Sequence, residues 1–88
     1  MTDKVKYRKL LRRLKAFLDA DFRMQLQMRE DIQNVLTKLK KRQKKLQLMC
    51  DETFDEAARQ QFEEEIELVR AQRKKGIEVL RELDRDPS

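Results

Sequence analysis

The side chains with the most chemistry to offer form a cationic block near the N-terminus. Lys4, Lys6, Arg8, Lys9, Arg12, Arg13 and Lys15 stand against a single carboxylate, Asp3, within the first fifteen positions. Lysine and arginine at that density suit phosphate oxygens, because each pairing releases a condensed counterion and needs no particular base sequence. The block holds no Asn, Gln or Ser to read base edges, and its aromatic neighbours Tyr7 and Phe17 fall on the apolar side. Its chemistry is therefore that of non-specific contact with a nucleic-acid backbone through Lys4, Arg8, Lys9, Arg12, Arg13 and Lys15.

Bond-making chemistry has little to work with. The chain contains no His, so the commonest general base and metal ligand is missing. Its only serine is Ser88, and Gly76 is its only glycine, which leaves no phosphate-cradling loop or dinucleotide fingerprint. The carboxylates Glu63, Glu64, Glu65 and Glu67 resemble half of a bundle metal site, but that site adds a Glu-x-x-His element. They read instead as charge partners for another helix. Cys50 is the single cysteine, so no intrachain disulfide forms, and Asp51 and Glu52 oppose a reactive thiolate. The sequence thus predicts no catalytic residue, no metal site and no cofactor; the protein is not expected to be an enzyme.

The elements that must carry these residues are helical. Charged residues make up 44% of the chain, with one Gly and one Pro, the profile of long helices rather than of sheets. Tyr7, Leu10, Leu11, Leu14, Phe17 and Leu18 recur at steps of three and four, and Met28, Ile32, Val35, Leu36, Leu39 and Leu46 resume the same face. At 100° per residue they share an arc of about 120°, wide enough to face a core. Asp21 and Gln25 interrupt the stripe, either as a polar layer in a continuous helix or at a break near Asp19–Asp21 that would let residues 3–18 fold back as a third helix; without Gly or Pro to mark a break, the pattern favours one continuous helix over about 3–49. A turn follows at about 50–53, where Thr53 and Glu56 have capping-box spacing. A second helix over about 53–84 would bury Ala58, Phe62, Ile66, Val69, Ile77, Leu80 and Leu83, with Pro87 blocking further extension.

Charge suggests how the two helices meet. Residues 1–49 carry fifteen Lys/Arg and five Asp/Glu, whereas residues 50–88 carry seven and twelve. An antiparallel hairpin sets the basic run Lys38–Lys45 beside Glu63, Glu64 and Glu65, and Lys74 and Lys75 beside Glu30 and Asp31. Exposed pairs of this kind contribute only about 0–1 kcal/mol each, so they choose orientation more than they supply stability. Arg73, opposite Asp21 and Gln25, would complete a polar layer, and Gly76 would admit Leu26 or Met28. The fold class predicted is all-α: an antiparallel, coiled-coil-like two-helix hairpin with a long first helix, associating into a dimeric helical bundle.

The helices are unequal. A helix over 3–49 is about 70 Å long and one over 53–84 about 48 Å, so residues 1–18 overhang as a basic amphipathic segment. Tyr7, Leu10, Leu11, Leu14, Phe17 and Leu18 are then left bare, and such a face invites a partner. The function expected is a protein–protein interaction or regulatory adaptor module in a single helical domain, self-associating as a homodimer through those six residues. The alternative is a nucleic-acid-associated protein holding phosphate through residues 4–15. A protein groove or an anionic membrane surface could also cover the segment. Arg12, Arg13 and Lys15 break any apolar signal core and no long apolar run exists, so the expected location is the cytoplasm.

Overall fold

A computed structural model describes the backbone of residues 2–85 and the side chains of residues 7–85. Four helices follow in order: α1 Thr2–Asp19, α2 Phe22–Gln27, α3 Arg29–Glu52 and α4 Glu56–Arg85. They pack against one another, with α1 resting on both α3 and α4. The long axis measures 52 Å, too short for a straight 70 Å helix. The predicted first helix is broken, and its N-terminal third returns along the other two.

The break falls at Ala20–Asp21, where the two polar residues of the stripe become end devices. Asp21 adopts extended backbone (φ −73°, ψ 170°), and its carboxylate accepts from the amide of Met24 at 2.9 Å, capping α2. Gln25 turns back, its Nε2 donating to the carbonyl of Phe17 at 3.0 Å, one of the carbonyls that the end of α1 leaves without a helical partner. They do not form a layer inside a continuous helix, because each satisfies backbone groups that the corner exposes. What the corner gains is burial. Tyr7, Leu14 and Phe17 leave solvent almost completely, each contributing about 1.5–3 kcal/mol. From α2 to α3 the helical pattern nearly persists: the amide of Met28 donates to Met24 O, and that of Ile32 to Met28 O.

Between α3 and α4 only residues 53–55 are non-helical. The expected capping box does not form. Thr53 closes α3, its amide donating to Met49 O at 3.1 Å, and its hydroxyl accepts from the amide of Asp55 at 3.3 Å. Asp55 caps α4 through its carboxylate, which accepts from Ala57 N at 3.2 Å. Arg59 ties the two together by donating to Thr53 O at 3.1 Å. Beyond this turn α3 and α4 run side by side in opposite directions. Cys50 Sγ reaches the carbonyl of Arg59, Arg73 donates to Gln43 Oε1 at 2.7 Å, and Arg29 pairs with Asp84.

The core joins all three long helices: Leu14 of α1, Ile32, Val35, Leu39 and Leu46 of α3, and Val69 of α4 are essentially inaccessible. At Gly76 they come closest. A Cβ there would lie 2.7 Å from Leu36 Cδ2 and 3.2 Å from Leu14 Cδ1, so the glycine admits side chains from both neighbouring helices. Those side chains are Leu36 and Leu14, not the expected Leu26 or Met28. Ile77, expected in the core, is exposed, and Arg73 lies with Gln43 rather than with Asp21 or Gln25. Cys50 is buried at 5% exposure rather than facing solvent. Pro87 lies outside the described residues. No helix among the described residues is long and apolar enough to cross a membrane.

Candidate cationic groove between α1 and α3

Folding α1 back rearranges both sets of predicted site residues. Of the apolar six, Tyr7, Leu14 and Phe17 are buried, and Leu10, Leu11 and Leu18 are partly buried against the same core. The face that seemed to need a second chain is covered within this one, because the corner supplies the partner helices the linear arithmetic could not. Of the cationic six, Arg8, Lys9, Arg12, Arg13 and Lys15 are exposed, and the side chain of Lys4 lies outside those described.

Two of them enter a groove. Tyr7, Lys9, Leu10 and Arg13 on α1 face Lys38, Lys41, Arg42 and Lys45 on α3 across a space of about 680 Å³. The helical spacing explains the selection: Lys9 and Arg13 are four apart and flank Leu10, whereas Arg8, Arg12 and Lys15 project elsewhere on the same helix. On α3, Lys38, Lys41, Arg42 and Lys45 repeat at three- and four-residue steps and share a face. This is the run expected to lie beside Glu63–Glu65. The fold turns part of it toward α1 instead, so cations from two helices converge and no carboxylate lines the groove among the described residues.

Tyr7 organises the floor. Its hydroxyl donates to the backbone carbonyl of Glu65 at 3.5 Å, and the guanidinium of Arg42 lies over its ring, 5.4 Å from the centroid. Burial pushes the phenol above its ordinary pKa, the charge of Glu65 adds to that, and Arg42 opposes both. Cation–π contact holds Arg42 against the floor. Its Nε is buried without a hydrogen-bond partner.

Chemically, the groove supplies cationic donors on two walls and an apolar floor of Tyr7 and Leu10. That suits a strip of anionic oxygens, and its volume matches ligand sites of about 300–1,000 Å³. The α3 half was missed in sequence because Lys38–Lys45 had been balanced against α4; the available signal was the three- and four-residue recurrence of Lys38, Lys41 and Lys45. A second surface was also missed. Phe54, in the α3–α4 turn, is 100% exposed, with Leu48 and Met49 also exposed nearby among Asp51, Glu52, Asp55 and Glu56. Comparison of the chain with protein-family models, curated proteins and solved structures finds no match.

Proposed function

We propose that this chain is a non-enzymatic binding module that holds the phosphate backbone of a nucleic acid in the groove between α1 and α3. The observation that carries the reading is the convergence of Lys9 and Arg13 from α1 with Lys38, Lys41 and Arg42 from α3 on one groove, with no lining carboxylate among the described residues. Lys38–Lys45 spans about 10 Å of helix axis, enough to face a few consecutive phosphates. No Asn, Gln, Ser or Thr lines the groove among the described residues, and cations facing a phosphate strip recognise it by charge and shape rather than by base sequence. Self-association through Tyr7–Leu18 would require α1 to leave its present packing. The charge distribution favours the nucleic-acid reading over it.

The test is binding of labelled duplex and single-stranded oligonucleotides at low salt, followed by a salt titration. Affinity for duplex should fall with a log–log slope of about −0.9 for each phosphate contacted. Reversing Lys9, Arg13, Lys38 and Lys41 to Glu should abolish binding. Reversing Arg8, Arg12, Lys15 and Lys44, an equal change in net charge placed outside the groove, should retain measurable binding. Equal loss in the two variants would mean that net charge, not the groove, attracts the ligand. No binding by the unmodified protein would refute the reading.

A further inference from the structure

The exposed turn and the groove are opposite in charge and alike in having an apolar centre. At the turn, Phe54 is fully exposed between Asp51 and Glu52 on one side and Asp55 and Glu56 on the other. In the groove, Tyr7 and Leu10 form the floor between walls that carry Lys9, Arg13, Lys38 and Lys41. A phenyl ring carries about 150–250 Å² of surface, and an apolar floor rimmed by charge opposite to its neighbours is the environment that would bury it. We infer that the turn of one chain docks into the α1–α3 groove of a second copy, Phe54 seated against Leu10 and the aliphatic stems of the lining lysines, and the flanking carboxylates facing the lysine and arginine walls.

The turn cannot reach the groove of its own chain. α3 is a single helix from Arg29 to Glu52, so it holds Asp51 and Glu52 at a fixed distance beyond Lys45, pointing along the axis. A second copy is the occupant because the two complementary halves are present on the one sequence, the groove between α1 and α3 and the turn beyond the end of α3. The contact pairs unlike surfaces, so it is heterologous: each bound chain still presents a free turn and a free groove, and association grows stepwise unless a ring closes. Nucleic acid in the groove would compete with it, although the inference stands whether or not nucleic acid binds.

Sedimentation of nucleic-acid-free protein tests this. At low salt the average mass should rise with concentration past that of a dimer, and raising the salt should reverse it. A turn variant (Asp51→Lys, Glu52→Lys, Phe54→Ser) changes only exposed residues outside the core. It should weaken association about thirtyfold or more yet keep any nucleic-acid binding. The groove variant with Lys9, Arg13, Lys38 and Lys41 reversed should lose both. Mixing the turn variant with a groove variant neutralised rather than reversed (Lys9→Gln, Arg13→Gln, Lys38→Gln, Lys41→Gln) supplies one intact turn and one intact groove without creating a second complementary pair, and should give a one-to-one complex that neither forms alone. A wild-type protein that remains monomeric at high micromolar concentration would overturn the inference. So would undiminished association of the turn variant, or failure of the mixture to pair; circular dichroism verifies that the variants are helical.

Discussion

Replacing Gly76 with alanine separates a packing junction from an ordinary helix position. Alanine in a helix interior is favoured over glycine by about 1 kcal/mol, so at an uncrowded site Gly76→Ala should stabilise the protein by about that amount. Here the new Cβ would meet Leu36 Cδ2 at 2.7 Å, Leu14 Cδ1 at 3.2 Å and Leu36 Cδ1 at 3.3 Å. Leu14 is wholly buried and Leu36 nearly so, so neither has open space to rotate into. Overpacking of this kind costs about 1–3 kcal/mol, and subtracting the propensity gain leaves a net loss of about 0–2 kcal/mol. Urea denaturation followed by helical circular dichroism would read it as a lower midpoint at unchanged slope. A double-mutant cycle sharpens the sign. Leu36→Ala alone should cost about 2–5 kcal/mol, but it also removes two of the three atoms crowding the site. In that background Gly76→Ala should become stabilising, a favourable coupling of at least about 1 kcal/mol. Stabilisation by Gly76→Ala in the wild-type background, with no coupling to Leu36, would refute the three-helix junction.

Two further outcomes test the corner and the groove floor. Asp21→Ala removes the carboxylate that caps α2, and should cost about 0.5–2 kcal/mol in the same denaturation assay; a neutral result would mean the corner does not depend on its cap. Tyr7 is the only tyrosine and there is no tryptophan, so its ionisation can be followed cleanly by ultraviolet absorbance. The midpoint should lie above the ordinary 10.0, and Arg42→Met should raise it further by removing the one charge that opposes the shift. In sign, a phenol whose folded pKa is raised contributes stability that is complete below the unfolded pKa and is lost as pH rises through the folded value. A midpoint at or below 10 would contradict the buried placement of the ring.

The helical content and most of the core were legible because three- and four-residue spacing is a local property. Tyr7, Leu14, Phe17, Ile32, Leu39, Leu46, Ile66 and Val69 were all placed on apolar faces by it, and all are buried. The corner was legible only as the less favoured of two alternatives, for a specific reason. Asp21 and Gln25 look alike as polar interruptions of a continuous stripe and as end caps of two helices. Only the energetics of covering Tyr7, Leu14 and Phe17 decide between the two, and those depend on contacts some sixty residues away. The same non-local step hid half the groove, since Lys38, Lys41 and Lys45 converge with Lys9 and Arg13 only once α1 has turned back. Thr53 was misread more locally: its hydroxyl serves the turn two residues on, and Asp55 takes the cap because α3 runs through Glu52.

The return of α1 sets the order of packing against the order of synthesis. α1 is made before α3 and α4, yet Tyr7 bonds to Glu65, fifty-eight positions later, and Leu14 approaches Gly76. At about 5–20 residues per second, the fifty-eight positions from Tyr7 to Glu65 take roughly 3–12 s to synthesise. Throughout that interval the nascent segment presents an apolar stripe and a dense positive charge with nothing of its own to fold onto. Arg8, Lys9, Arg12 and Arg13 charge the side of that segment opposite its stripe, and Lys9 and Arg13 later wall the finished groove.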